Sequence, residues 1–139
     1  MADDDGAGER NAACACGGLT VKASGKPVDV YLCSCLKCQR GTGSAFSYAA
    51  LFADSSVTIT GDRRQYADRG DSGRAIDSSF CPTCGTAVAF RAEGLPGVIG
   101  VPVGCFADPN FARPSKLFWA SRRHHWLELP ADIAEIDTQ

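Results

Sequence analysis

The chain predicts an all-β fold, and three observations carry that expectation. Apolar residues alternate with polar or small ones through most of its length, the period of a half-buried strand. No stretch shows the spacing of an amphipathic helix of roughly ten or more residues. Glycines and prolines fall at short intervals, as turns between strands require. At 139 residues the chain fits one domain that buries a real core.

Residues 1–12 are acidic and glycine-rich and are expected as a flexible tail, leaving 13–139 as a single domain. Leu19 and Val21, then Val28, Val30 and Leu32, alternate around Gly25-Lys26-Pro27, which predicts a hairpin that delivers the chain to Cys33. Gln39 to Gly43 reads as a flexible loop, and Phe46, Tyr48, Ala50 and Phe52 as a strand. Val57 to Thr60 and Arg63 to Ala67 are short strands, followed by a polar loop over Asp68 to Gly73. Ala75 to Phe80 and Ala87 to Arg91 flank Cys81-Pro82-Thr83-Cys84-Gly85, a metal knuckle at a hairpin tip. Val98 to Val103 is interrupted by Gly100 and Pro102 and predicts an edge or irregular strand. Lys116 to Ala120 is the last strand, and a helical turn follows Pro130.

Seven of the eight cysteines lie in three short groups: Cys14-Ala15-Cys16, Cys33-Ser34-Cys35-Leu36-Lys37-Cys38 and Cys81-Pro82-Thr83-Cys84. This spacing points to metal, and zinc is the ion that fits thiolates best. A disulfide framework fits poorly, because the cysteine content is below the ~8–10% of such scaffolds. Bridges inside Cys14-x-Cys16 or Cys33-x-Cys35 would also close very small loops. The outer pairs Cys14/Cys16 and Cys81/Cys84 together make a closed four-thiolate site. Cys33, Cys35 and Cys38 make a three-thiolate site with a position left for water or a substrate thiol. A rival division adds Cys105 to the middle group and closes both sites; as a small buried residue Cys105 instead needs no ligand role.

The formal net charge of −2 gives no basic footprint for nucleic acid. No uncharged run approaches the ~18 apolar residues of a membrane helix, and no signal peptide is visible. A soluble cytoplasmic protein is expected, with its oligomeric state open. Arg40, two residues past Cys38, is a candidate clamp for a substrate carboxylate or an exposed loop charge. His124 and His125 are candidate ligands or acid/base groups, or the cap of a surface turn beside Trp126. Trp119 and Trp126 read as core or rim aromatics.

Together, Cys14-Ala15-Cys16-Gly17, Cys33 to Arg40 with Gly43-Ser44-Ala45-Phe46, Phe80 to Thr86, and Leu117 to Ser121 with Trp126 to Leu129 resemble the glutathione-dependent formaldehyde-activating enzyme family. That family includes centromere-protein-V-like proteins, and the resemblance spans about Ala13 to Leu129. It implies a zinc-bearing, mostly antiparallel β structure of the β-tent kind. It implies a structural zinc on Cys14, Cys16, Cys81 and Cys84, and an active-site zinc on Cys33, Cys35 and Cys38. The implied reaction is carbon–sulfur lyase chemistry, glutathione plus formaldehyde giving S-hydroxymethylglutathione. Three departures bear on substrate identity: Ser34 stands where the family often has His, Cys105-Phe106 where it usually has Thr-Leu, and His124-His125 where a short apolar or Ala-Pro step is common. A zinc-stabilised module that binds a small thiol or a protein without turnover is the alternative expectation.

Overall fold

A computed structural model describes residues 8–138, and among them the fold is β throughout apart from one short helix and three 3₁₀ turns. A small sheet contains β1 (Glu9–Ala13), β2 (Thr20–Ser24) and β5 (Val57–Thr60) in the order β1-β2-β5. The large sheet adds β3 (Asp29–Cys33), β4 (Ser47–Ala53), β6 (Arg64–Arg69), β7 (Ala75–Phe80), β8 (Ala87–Ala92), β9 (Val98–Pro102), β10 (Lys116–Phe118) and β11 (Ala134–Ile136). Its order is β11-β10-β3-β4-β9-β8-β7-β6. All pairings are antiparallel except those of β10 with β3 and with β11.

The middle of the large sheet is covered on both faces, so its strands are apolar in succession. In β3, Val30 packs into the main core with Leu19, Val21, Phe52, Val88 and Val101, while Tyr31 and Cys33 turn to the opposite face with Ala49 and Leu51. Leu32 joins Leu117 and Ile133 in a third cluster. The register Val30↔Ala50, Tyr31↔Ala49 and Leu32↔Tyr48 keeps each partner on its own side.

Several local expectations are corrected. Glu9–Ala13, within the stretch expected as a tail, is a strand with Ala12 buried; the rest of that expectation lies on residues 1–7, outside the described ones. The hairpin expected over residues 19–32 does not form. Gly25 does make the turn at φ 79°, but β2 pairs with β1 and β5, whereas β3 pairs with β4 and β10. Val28 sits between the sheets in sequence and is 65% exposed, although its alternation placed it inward. Residues 39–42 belong to helix α1 (Leu36–Thr42), with Gly43 closing it in the left-handed conformation at φ 66°. The turn after Pro130 forms, but the chain then extends as β11 alongside β10.

The strand expected at 98–103 as an edge or irregular one is not at an edge but interior, between β4 and β8. Gly100 explains it: a Cβ there would collide with the Phe90 ring, so glycine is what lets that ring lie across β9. Gly100→Ala should lower the unfolding free energy by about 1–3 kcal/mol, from forced displacement of a packed ring. Chemical denaturation checks this, and an unchanged midpoint would contradict it.

Candidate metal centres and an adjoining cleft

Two knuckles of similar construction meet at the outer cluster. In the first, Cys14 lies just past β1, Gly17 turns at φ 83°, and the Leu19 amide donates to Cys14 Sγ at 3.3 Å. In the second, between β7 and β8, Gly85 turns at φ 81° and the Thr83 amide donates to Cys81 Sγ at 3.4 Å. Amide donors of this kind favour the thiolate. The Ala15 amide donates to Thr86 Oγ1 at 3.1 Å, joining the knuckles directly. All four Sγ atoms lie within 4.8 Å of one another. Cys14–Cys16 at 3.6 Å and Cys16–Cys81 at 3.7 Å match the S···S edge of about 3.8 Å that tetrahedral Zn–S bonds of ~2.3 Å require. The donor set therefore fits zinc, with Cys14 and Cys81 buried and Cys16 and Cys84 exposed. Hydrogen bonds from Thr86 to Cys84 pull its pKa down to about 5.

The middle cluster is assembled by one strand end and one helix start. Cys33 closes β3, Cys35 is the N-cap of α1, and Cys38 lies in the first turn, its amide donating to Cys35 Sγ at 3.3 Å. The three Sγ atoms lie within 4.8 Å of one another, and no other Cys, His, Asp or Glu among the described residues joins them. Cys33 donates to Cys35, and Cys38 does too, so the first negative charge settles on Cys35 with its pKa pulled to about 2 while Cys33 is pushed up. Tyr31, Phe90, Phe118 and Trp119 wall the cluster. Trp119 holds a left-handed backbone at φ 56°, and the Arg122 guanidinium stacks over its ring at 4.4 Å.

Contacts distant in sequence fix α1. Asp71, at the tip of the β6–β7 hairpin, accepts from the Leu36 amide at 3.0 Å and pairs with Arg122. Lys37 pairs with Asp68 at 2.6 Å. Gln39 donates to the Ser34 carbonyl at 2.8 Å and the Arg122 carbonyl at 3.0 Å. Sequence reading gave no role to Asp68, Asp71 or Gln39; apart from Ser34, five residues from Gln39, their partners lie 31 to 85 residues away and leave no local signal.

Cys105 lies with the outer cluster, not the middle one. It packs against the core that contains Cys14 and Cys81, feels the charges of Cys14 and Cys84, and approaches the Ala87 carbonyl at 3.5 Å. The rival closure of the middle group by Cys105 is therefore not what the fold builds. Burial pushes the Cys105 thiol up, in keeping with an inert packed residue.

Arg40 lines an open cleft of about 690 Å³ with Gln39, Phe46, His124 and Trp126. No cysteine is in that lining. Trp126, expected in the core or at its rim, is 60% exposed. His124 reaches Gln39 Oε1 through Nε2 at 3.0 Å and its carbonyl accepts from the Leu127 amide, so the expected surface turn is present as well. His125 is exposed and lines neither the cleft nor a cysteine cluster.

Ser34 is 0% exposed, and its Oγ has no hydrogen-bond partner among the described residues. A buried unpaired hydroxyl costs about 1–3 kcal/mol. Ser34→Ala should raise stability by about that amount in a denaturant titration; a loss of stability would show that the hydroxyl has a partner. Metal content should also separate the two clusters. On zinc-loaded protein, mild chelation should remove the ion from the three-thiolate group first, and lowering pH should release both because thiolates must protonate. Two zincs that leave together during a graded chelator titration would contradict the distinction.

No curated protein sequence matches the chain. A crystal structure of a Rhodobacter sphaeroides protein superimposes with a TM-score of 0.55 at 20% identity, covering 75% of this chain and 91% of the other; it is alike in fold. No helix among the described residues is long and apolar enough to cross a membrane. The family model for glutathione-dependent formaldehyde-activating enzymes matches residues 9–122, a span that contains both cysteine clusters and Arg40. The chain belongs to the glutathione-dependent formaldehyde-activating enzyme family.

Proposed function

We propose that the protein is a zinc-dependent carbon–sulfur lyase acting on the adduct of a small thiol and an aldehyde, with glutathione and formaldehyde as the pair. One observation carries this reading: three thiols converge at Cys33, Cys35 and Cys38 with no fourth ligand beside them among the described residues. Three ligands and an open position are the donor set of a reactive zinc site, while the outer four suit a structural one. Zinc held there would favour the thiolate of a substrate thiol and so supply the nucleophile at neutral pH.

The chain's own residues do the rest. Sulfur attack on the aldehyde carbon forms the C–S bond, the carbonyl π pair moves to oxygen, and oxygen takes up a proton; the reverse steps break the adduct. Tyr31, Phe118 and Trp119 keep water from the buried side of the cysteine group. Asp71, Lys37 and Gln39 hold α1, and with it Cys38, at a fixed distance from Cys33. Arg40 takes a glutathione carboxylate. None of the eight cysteines lies in a disulfide, which fits a reducing compartment, and the cytoplasm is the proposed setting of the reaction.

A second reading has its own support. Cys33 and Cys35 are buried, with only Cys38 partly open, and the Arg40 cleft contains no cysteine. Both fit a module that binds the thiol without turnover. Cys35→Ser discriminates between the two. Lyase action predicts a fall of roughly hundredfold or more in adduct exchange above the spontaneous rate, followed by NMR, with the outer zinc retained. An exchange rate equal to the wild-type value would end the lyase reading.

A further inference from the structure

The cleft beside α1 carries two polar groups that nothing in the reaction above uses together. Arg40 makes no ion pair or hydrogen bond with any described residue, and no acidic side chain lines the cleft. The other basic groups nearby are occupied: Lys37 by Asp68 and Arg122 by Asp71. Arg40 is therefore a cation whose planar fork faces an open, partly aromatic space.

The second group is His124, and Gln39 fixes its tautomer. A glutamine amide nitrogen has two hydrogens. Both are taken by carbonyl oxygens, of Ser34 at 2.8 Å and Arg122 at 3.0 Å. Reversing the amide would set its oxygen against two other oxygens, so the assignment has only one satisfied solution. Gln39 Oε1 then faces His124 Nε2 at 3.0 Å and accepts from it. In the neutral imidazole the proton is on Nε2, and Nδ1 is an unprotonated acceptor with no partner among the described residues. Trp126 meets the His124 ring edge-on at a centroid distance of 6.3 Å, and Phe46 lines the same cleft.

We propose that Arg40 and His124 Nδ1 form a two-point recognition site for a carboxylate with a neighbouring N–H donor, seated against Trp126 and Phe46. The arginine fork takes the carboxylate, Nδ1 accepts from the N–H, and the aromatic surfaces cover the apolar part of the ligand. In the opposite tautomer Nδ1 would carry the proton and be a donor, and Nε2 would set a lone pair against Gln39 Oε1; Gln39 removes that option. As applied to glutathione, the inference rests on the proposed function. Glutathione has two such ends: the γ-glutamyl carboxylate beside an ammonium, and the glycine carboxylate beside an amide N–H.

S-methylglutathione tests the site, because its capped sulfur cannot serve as a thiolate. Zinc-loaded protein should bind it in calorimetry, and Arg40→Gln and His124→Gln should each weaken binding roughly tenfold or more. Glutamine at 124 keeps an N–H toward Gln39 and deletes the Nδ1 acceptor together with the ring edge against Trp126. S-methylglutathione amidated on glycine, and the same compound esterified on the γ-glutamyl carboxylate, identify the docked end: the modification that abolishes the Arg40→Gln effect marks it. Nitrogen NMR of the neutral imidazole should report the proton on Nε2. Wild-type affinity in both variants, the opposite tautomer, or failure of S-methylglutathione to bind would each overturn the site. Binding without any thiol–aldehyde turnover would support the site and sink the lyase reading. Turnover without S-methylglutathione binding would sink the site alone.

Discussion

The meeting of Cys14 and Cys16 with Cys81 and Cys84 is the constraint on which the rest depends. It brings the end of β1, in the small sheet, to the turn between β7 and β8, in the large one. The two knuckles arrive already formed, each with a left-handed glycine and an amide aimed at sulfur. A metal bound there would add little local ordering cost and would close a long loop, the condition under which a cross-link stabilises most. The main core lies between these sheets and includes Cys14 and Cys81 themselves, so the gathering of the four thiols and the apolar packing specify the same arrangement.

The middle group is built on a different principle. Its ligands come from one short stretch, and the fold must hold that stretch rather than gather it. Cys35 caps a helix of seven residues, too short to stand without tertiary support. Support comes from the β6–β7 hairpin through Asp68 and Asp71, and from the segment after β10 through Arg122 and His124. The ion pairs are largely surface features, worth little individually. Their value lies in direction: three separate elements fix one helix, and the third thiol cannot drift from the other two. Gln39 sits between these roles, tying the cysteine loop on one side and orienting His124 in the cleft on the other.

Much of this was legible in the residues, and what was missed has a common cause. Cysteine spacing is a local signal with few physical explanations, so both groups could be read directly, as could the knuckle between β7 and β8. Strand partners were less visible. Gly25 does turn the chain, yet nothing in a turn says whether the strands on either side pair with each other or leave for different sheets. Gly100 and Pro102 read as breaks in an edge strand, whereas Gly100 sits in an interior strand because the Phe90 ring needs its missing Cβ. The helix at Leu36–Thr42 was hidden by its own glycines, one of which is its C-cap. Arg40 was noticed from its proximity to Cys38, but the cleft it lines depends on His124 and Trp126, more than eighty residues away in the chain.

Under the proposed function the two clusters differ in kind, one closed and one able to take a substrate sulfur. X-ray absorption at the zinc edge addresses it most directly, on protein loaded with two zincs, before and after addition of glutathione. Fewer than four sulfur neighbours per zinc on average are expected in the free protein, rising to four when the thiol is present. Four sulfurs per zinc before glutathione is added, or no change on its addition, would contradict it.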